Sequence, residues 1–352
     1  MGRGWRADFF ARLARLLPDE FELVGVAVRD TDGAADVQRR WSVPAHLSPA
    51  ELVARQHPDV VVSSVSWAAN PAVVADLVAA GTAVLSETPP APDHAGLLDL
   101  WDRVGRSGRV QVAEQYLLLP GHAARRAVVE RGVIGTPTSV QVSSTHGYHA
   151  VSLMRGFLGA GYGPVAVAGR TFTAPLVDPL HRDGWTLDDR EHPAATTLAT
   201  LDWGDGRSGL YDFTDNQWHN QLRLRRILVR GSRGEIQDDS VVRLTGPRTI
   251  VRSTLVRSQL GHDLNLDGHD TEHLSFDGEV VWRNPFLGLR LMDEEIAIAT
   301  LLRAAARWAA GDGPPPYPLA QACQDHLLSL ALDEAVRTGR PVRTERQPWA
   351  AG

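Results

Sequence analysis

Lysine is absent from this chain of 352 residues; all 36 basic side chains are arginine. The absence excludes Schiff-base chemistry and any lysine general acid or base. A GC-rich coding bias accounts for arginine on the surface, but the chemical exclusion holds regardless. Cysteine is nearly absent too. Cys323 stands alone, which rules out an internal disulfide framework and fits a reducing cytoplasm. No apolar run approaches the roughly 20 residues that span a bilayer, and no signal peptide is visible, so no membrane partner is expected. A net charge of -6 lacks the basic excess of a nucleic-acid surface. What remains, 43% hydrophobic and 22% charged residues, is an ordinary globular composition long enough for two domains.

The chain opens on Met1-Gly2-Arg3-Gly4-Trp5-Arg6-Ala7, the glycine-rich turn of a dinucleotide-binding unit. In such a turn the first glycine makes the bend and the second lets backbone N–H groups approach a pyrophosphate. A helix follows, with Phe9, Leu13, Leu16 and Leu17 on one face and Asp8, Arg12 and Arg15 on the other. The strand that ordinarily precedes the turn is missing. Two explanations stay open: a start further upstream, or a cofactor site partly discarded. Loss of a central strand strips ladder hydrogen bonds from both neighbours and leaves an apolar trench. The upstream start is therefore the expectation.

The first third then alternates strand and helix signals. Leu23–Val28, Val60–Val62, Ala83–Leu85 and Val110–Ala113 read as short buried strands of a parallel sheet. Ser48-Pro49-Ala50-Glu51 is a capping box, Asn70-Pro71 pairs an N-cap with proline, and Gly81 sits where that helix stops. From about Pro120 the texture changes. A helix around Ala123, Val128 and Val129 ends at Gly132, Ser139–Ser144 is a strand, and His149–Phe157 is a helix stopped near Gly159. Strand signals then follow in succession at Thr197–Trp203, Gly209–Phe213, Arg223–Arg230, Val241–Leu244 and Ile250–Leu255. These predict one large, mostly antiparallel sheet. Helices over Leu291–Ala310 and Leu319–Thr338 close the chain.

Several segments, in order, resemble the glucose–fructose oxidoreductase and inositol dehydrogenase family (Gfo/Idh/MocA). Phe21–Ala27 looks like its second strand and Pro58–Val62 like its third. Gly81–Pro89 looks like its glycine, short strand and Glu-Lys-Pro segment. His149–Arg155 with Leu158-Gly159 resembles the helix carrying the catalytic histidine; Gly231–Ile236 and Tyr317-Pro318-Leu319 match later landmarks. The resemblance implies an α/β chain: a Rossmann-like dinucleotide-binding domain over residues 1–118, its first strand missing, and an α+β domain over 119–352 for substrate and oligomerisation. It implies NADP or NAD as cofactor, a carbohydrate or cyclic polyol as substrate, and a homodimer or homotetramer through the C-terminal sheet. Four positions depart from the pattern. Thr88 replaces the lysine, Thr145 the aspartate four residues before the histidine, Val28 the acid closing the second strand, and Ser66 the proline after the third.

Gly2, Gly4, Trp5 and Arg6 are the cofactor-binding turn, with Ser64 and Ser66 after the third strand set beside it. Arg29 lies where a 2′-phosphate would sit, which favours NADP; the bland reading pairs it with Asp30 or Asp32. Glu87 is placed to hydrogen-bond the ribose, while Thr88 orients a hydroxyl without lysine's acidity. A cis turn is possible at Pro89-Pro90. His146, Tyr148 and His149 crowd one segment; His149 is the candidate proton relay, and His146 and Tyr148 are its lesser companions. Trp218 and His219, in a polar aromatic run from Asp215 to Gln221, suit sugar recognition by stacking and amide hydrogen bonds. Gln115 is set with them on the substrate side. His262, Asp263, Asp267, His269, Asp270, Glu272 and His273 cluster, but their spacing matches no closed metal site and a solvated loop is expected. The resulting expectation is an NAD(P)-dependent oxidoreductase, with a redox-neutral lyase or epimerase as a variant. The competing one is a catalytically silent relative that binds a ligand or partner without nucleotide.

Overall fold

The structure is a computed structural model and describes residues 1–351. It divides into two compact units, one of residues 1–119 and 285–324 and one of residues 120–284 and 325–350.

In the first unit, helices alternate with short parallel strands, as the apolar runs between capped helices require. In order they are α1 (Trp5–Leu16), β1 (Val26–Ala27), α2 (Thr31–Trp41), β2 (Ala45–His46), α3 (Pro49–Gln56), β3 (Val60–Ser63), α4 (Asn70–Ala79), β4 (Ala83–Ser86), α5 (His94–Val104) and β5 (Val110–Val112). The strands form two sheets, β1-β2 and β3-β4-β5. Met1 and Gly2 lie between them: Gly2 N–H donates to the Ala27 carbonyl at 3.2 Å, and Ser64 N–H donates to the Met1 carbonyl at 3.1 Å. Of the expected strand Leu23–Val28 only Val26–Ala27 is paired, because nothing lies alongside Leu23–Gly25 to pair with. In α1, Phe9 and Leu13 are buried as predicted, but Phe10 and Ala11 are buried too, and Leu16 is exposed. Ser48 Oγ accepts from Glu51 N–H as an N-cap should. Asn70, read as an N-cap, is instead spent in the core; Ala69 stands at the cap. The Asn70 amide donates to Ser86 Oγ at 2.8 Å and the Pro90 carbonyl at 2.9 Å, and its oxygen accepts from Ser63 Oγ at 2.8 Å. That side chain ties β3, β4 and the turn after Glu87 together.

The second unit is organised on one sheet of nine strands. After α6 (Pro120–Glu130) come β6 (Pro137–Ser143), α7 (Gly147–Leu158), β7 (Ala166–Val177) and a small hairpin β8 (Leu180–His181), β9 (Gly184–Trp185). Then follow β10 (Glu191–Asp202), β11 (Ser208–Thr214), β12 (Arg226–Gly231), β13 (Gly234–Gln237), β14 (Ser240–Gly246), β15 (Thr249–Thr254), β16 (Val256–Leu260), β17 (Asp270–Phe276), β18 (Glu279–Arg283) and, near the end, β19 (Val342–Arg343). The order is β15-β14-β13-β12-β6-β11-β10-β7-β19. Only β6 and β11 run parallel; every other pair in the sheet is antiparallel. Along β10, Ala199 and Leu201 are buried while Leu198 is exposed, the alternation of a sheet covered on one face. The long strand β7 escaped the sequence reading; its run Ala166–Val177 is broken by Gly169 and Pro175, which masks the pattern. A buried ion pair, Arg155 to Asp325 at 2.5 Å, anchors α7 to the 319–338 helix.

Candidate functional site

In the first unit, the two glycines of the turn do different work. Gly2 has φ +91°, and a Cβ there would lie 2.2 Å from the Ser64 carbonyl oxygen, so only glycine fits. Gly4 has nothing within 4 Å of where a Cβ would point, and as N-cap of α1 it supplies no side-chain cap. Open space at an uncapped helix N-terminus is where an anion meets backbone N–H groups and the positive end of the helix dipole. The residues present fit the pyrophosphate of a dinucleotide.

Behind the turn, Arg6 Nε donates to Glu87 Oε1 at 2.9 Å and Arg6 Nη1 to Glu294 Oε1 at 3.0 Å. Gln115 Nε2 donates to the same Glu294 oxygen at 3.2 Å, while Gln115 Oε1 is buried without a partner. Burial lowers the Arg6 pKa, but the two carboxylates outweigh it and hold the guanidinium above its ordinary value. Arg6, Glu87 and Gln115 are thus brought together around Glu294, which the sequence reading missed. Its only signal was the acidic start Asp293-Glu294-Glu295 of the helix over 293–309. Thr88 follows Glu87 and joins Pro89 through a cis peptide bond. Ser66 is exposed, and its carbonyl accepts from Ala69 and Asn70. Trp5 is half-exposed and meets Phe9 edge-on. Arg29 is exposed and makes no ion pair with Asp30 or Asp32; Asp30 instead caps α2 by accepting from Gly33 N–H at 2.7 Å.

In the second unit, a ring cluster gathers at the start of α7. The His146 ring lies 4.7 Å from Trp218, 5.3 Å from His149 and 6.4 Å from Phe213. Tyr148 meets His149 at 5.3 Å, and Phe213 meets Trp218 at 4.6 Å. His146 is exposed at the surface yet flanked by these rings; partial burial, with His149 beside it, pushes its pKa down to about 4. Tyr211 Oη accepts from Gly147 N–H at 3.2 Å and so fixes the first turn of α7. Burial pushes the Tyr211 hydroxyl up to about 12, which keeps it protonated. Thr145 is fully buried and its Oγ1 has no partner.

His146, Tyr148, His149 and Trp218 are therefore neighbours, as a site would need; His219 makes no ring contact with them. Tyr211 and Phe213 complete the cluster, and only the alternation of Gly209–Phe213 could have suggested them. The expected amide hydrogen bonds to a sugar meet a physical obstacle. Asn216 Nδ2 is spent on Asp178 and the Leu180 carbonyl, Gln217 Nε2 on the Ser143 and Leu224 carbonyls, and Asn220 Nδ2 on the Val177 carbonyl. These amides hold the loop in shape and leave the Trp218 ring exposed.

Residues 1–115 match the family model described as an oxidoreductase family with an NAD-binding Rossmann fold (GFO_IDH_MocA). No curated protein sequence matches the chain. Solved structures do. An oxidoreductase domain protein from Kribbella flavida is 18% identical, with 97% of each chain covered and a TM-score of 0.70. A myo-inositol dehydrogenase from Corynebacterium glutamicum is 18% identical, with 98% of each chain covered and a TM-score of 0.64. The WlbA dehydrogenase from Bordetella pertussis, solved with NADH and UDP-GlcNAcA, is 15% identical over 98% of this chain and 96% of its own, with a TM-score of 0.65.

Proposed function

We propose, for a chain whose first 115 residues belong to the Gfo/Idh/MocA oxidoreductase family, an NAD(P)-dependent oxidoreductase of a carbohydrate or cyclic polyol with His149 as proton relay. The observation that carries the reading is the open, uncapped turn at Gly4. A nicotinamide dinucleotide supplies hydride transfer when bound. The chain's own part is to hold it and to move a proton. Backbone N–H groups at the start of α1 receive the pyrophosphate, and Glu87, oriented by Arg6, accepts from a ribose hydroxyl. Arg29, unpaired and exposed, is free to meet a 2′-phosphate through its planar fork.

His149 takes the proton of a substrate hydroxyl, and Tyr148 beside it shares the transfer. His146 stays neutral at pH 7 because of its depressed pKa, so it does not repel a proton arriving on His149. Trp218 offers a stacking face to a sugar ring. That the C. glutamicum protein is a myo-inositol dehydrogenase and that the B. pertussis protein was solved with UDP-GlcNAcA supports this substrate class. The same groups serve a redox-neutral lyase or epimerase that returns the hydride. The silent, ligand-binding reading draws on Thr88 and Thr145, neither of which carries a proton at neutral pH. Assembly is part of the proposal: Phe172 and Leu198 share the uncovered face of the large sheet and are exposed, and a second copy is the occupant expected there.

The deciding experiment is to denature purified protein, identify any released nucleotide by mass spectrometry, and titrate the protein with NAD(H) and NADP(H). Tight binding of NADP(H), weakened about tenfold or more by Arg29→Ala, is expected from loss of a charge-assisted phosphate contact. Tightly held NAD(H) points to the redox-neutral cycle. No binding of either form sinks the oxidoreductase reading.

A further inference from the structure

Gln115 leaves half of its hydrogen-bonding capacity unused. It stands three residues past β5, and only 3% of it is accessible. One end of its carboxamide is engaged: Nε2 donates to Glu294 Oε1 at 3.2 Å. The other end, Oε1, has no hydrogen-bond partner. A buried acceptor without a donor is costly, because it has given up water and gained nothing in return. Where one persists, a group from outside the chain is the natural donor.

Glu294 decides which end of the amide is left open. The two ends of a glutamine carboxamide are nearly equal in size, so their partners tell them apart. A carboxylate only accepts, and the NH2 end must therefore face Glu294. A flipped amide would set two acceptors against each other. Glu294 is itself held, since Arg6 Nη1 donates to the same oxygen at 3.0 Å while Arg6 Nε donates to Glu87 at 2.9 Å.

The position of Gln115 in the fold narrows the choice of donor. The Ser86 carbonyl accepts from Ala113 N–H and the Ser63 carbonyl from Glu87 N–H. Glu87 and Gln115 thus lie just past the carboxyl ends of β4 and β5, where open α/β sheets bind their ligands. With the pyrophosphate at the start of α1 and the adenosine side at Arg29 past β1, the β4–β5 side falls to the nicotinamide half. On the nucleotide-binding reading above, we infer that Glu294 is a positioning residue of the cofactor site. It fixes the Gln115 amide so that Oε1 accepts from the carboxamide N–H of a nicotinamide. Gln115 thereby moves from the substrate side, where its sequence position set it, to the cofactor side. Glu294 acts through Gln115 and touches no cofactor itself. Holding the carboxamide stops the ring from turning over, which keeps hydride transfer to one face.

The test is an equilibrium titration without substrate, comparing NADH and NADPH with their 3-acetylpyridine analogues, in which a methyl group replaces the carboxamide NH2. The full chain should bind the analogue about tenfold more weakly, because Oε1 then stays unpaired. Gln115→Leu removes the acceptor, and Glu294→Ala frees the amide to turn. Each should bring nucleotide and analogue to within about twofold of each other. Glu294→Gln, whose side-chain oxygen still accepts from Arg6 and Gln115, should restore the discrimination, which a merely structural role would not do. Equal binding of nucleotide and analogue by the unaltered chain overturns the assignment while leaving dinucleotide binding intact. The analogue keeps the ribose hydroxyls, so that result would give Oε1 to one of them. Discrimination that survives Glu294→Ala removes Glu294 from the role. Binding of neither compound sinks the nucleotide reading and this role together.

Discussion

Glu87 stood out as a candidate from its place after a short strand, whereas the group that orients it gave no local sign. Arg6 reaches Glu87 and Glu294 together, and those partners lie 81 and 288 residues away in sequence. Spacing rules cover neighbours along an element, not pairs that only folding brings close. The same holds in the second unit. His146, Tyr148 and His149 were visible as one segment, whereas Tyr211, which fixes the turn before them, gave no local sign. Thr145 is the reverse case: the sequence marked it as a departure, and the structure shows a buried hydroxyl that no group satisfies. The residue-scale prediction concerns His149. In His149→Ala, kcat should fall by about 10²- to 10⁴-fold, the usual worth of a positioned proton-transfer group. The dissociation constant for the dinucleotide should stay unchanged. Steady-state kinetics beside a nucleotide titration check it, and unaltered kcat would remove His149 from the mechanism.

At the scale of elements, the helices were legible because caps and breakers are local. Ser48 caps α3, Gly81 at φ +81° follows α4, and Gly159 in the left-handed region ends α7. Strands were less legible, since their extent depends on who lies alongside. Leu23–Gly25 has strand composition but no strand pairing, whereas β7, interrupted by glycine and proline, pairs with β10 over 12 residues. Asn70 carries the element-scale prediction. Its side chain satisfies Ser63, Ser86 and the Pro90 carbonyl in a buried setting. Asn70→Leu strands the Ser63 hydroxyl and the Pro90 carbonyl, while Ser86 keeps its bond to the Glu87 carbonyl at 3.2 Å, and each buried polar group left unmade costs about 1–3 kcal/mol. A loss of about 3 kcal/mol or more in urea unfolding is expected, with the turn carrying Glu87 loosened. A loss below about 1 kcal/mol would show that water replaces the amide at little cost.

At the scale of the whole molecule, no helix of the described residues is long and apolar enough to cross a membrane. Stability should depend on pH through two histidines, the buried His122 and the partly desolvated His146. His122 is held down to about 3, by burial first and by Arg125 and Arg225 next. His146 is held down to about 4. A histidine whose folded pKa is depressed leaves the unfolded chain binding more protons between that value and about 6.5. Stability is therefore fully present above about pH 6.5 and is lost as pH falls toward 3–4. Urea unfolding at pH 7 and at pH 4.5 reads this directly. His122→Phe should flatten the slope by up to about 1.4 kcal/mol per pH unit, one proton's worth. An unchanged slope would mean that His122 ionises in place.

The sequence by itself determined what local chemistry can fix. It set the absence of lysine chemistry, the glycine turn at the head of α1, the capped helices of the first unit and the largely antiparallel sheet of the second. Each follows from a periodicity, a cap or a missing residue type, which needs no knowledge of distant neighbours. The tertiary structure decided which side chains meet. It joined Arg6 to Glu294, spent the amides of the Trp218 loop on backbone carbonyls, and turned Asn70 from a cap into a buried clip. It also left Leu23–Gly25 without strand pairing. Hydrogen bonding and burial are properties of pairs brought together by folding, so no reading along the chain could assign them.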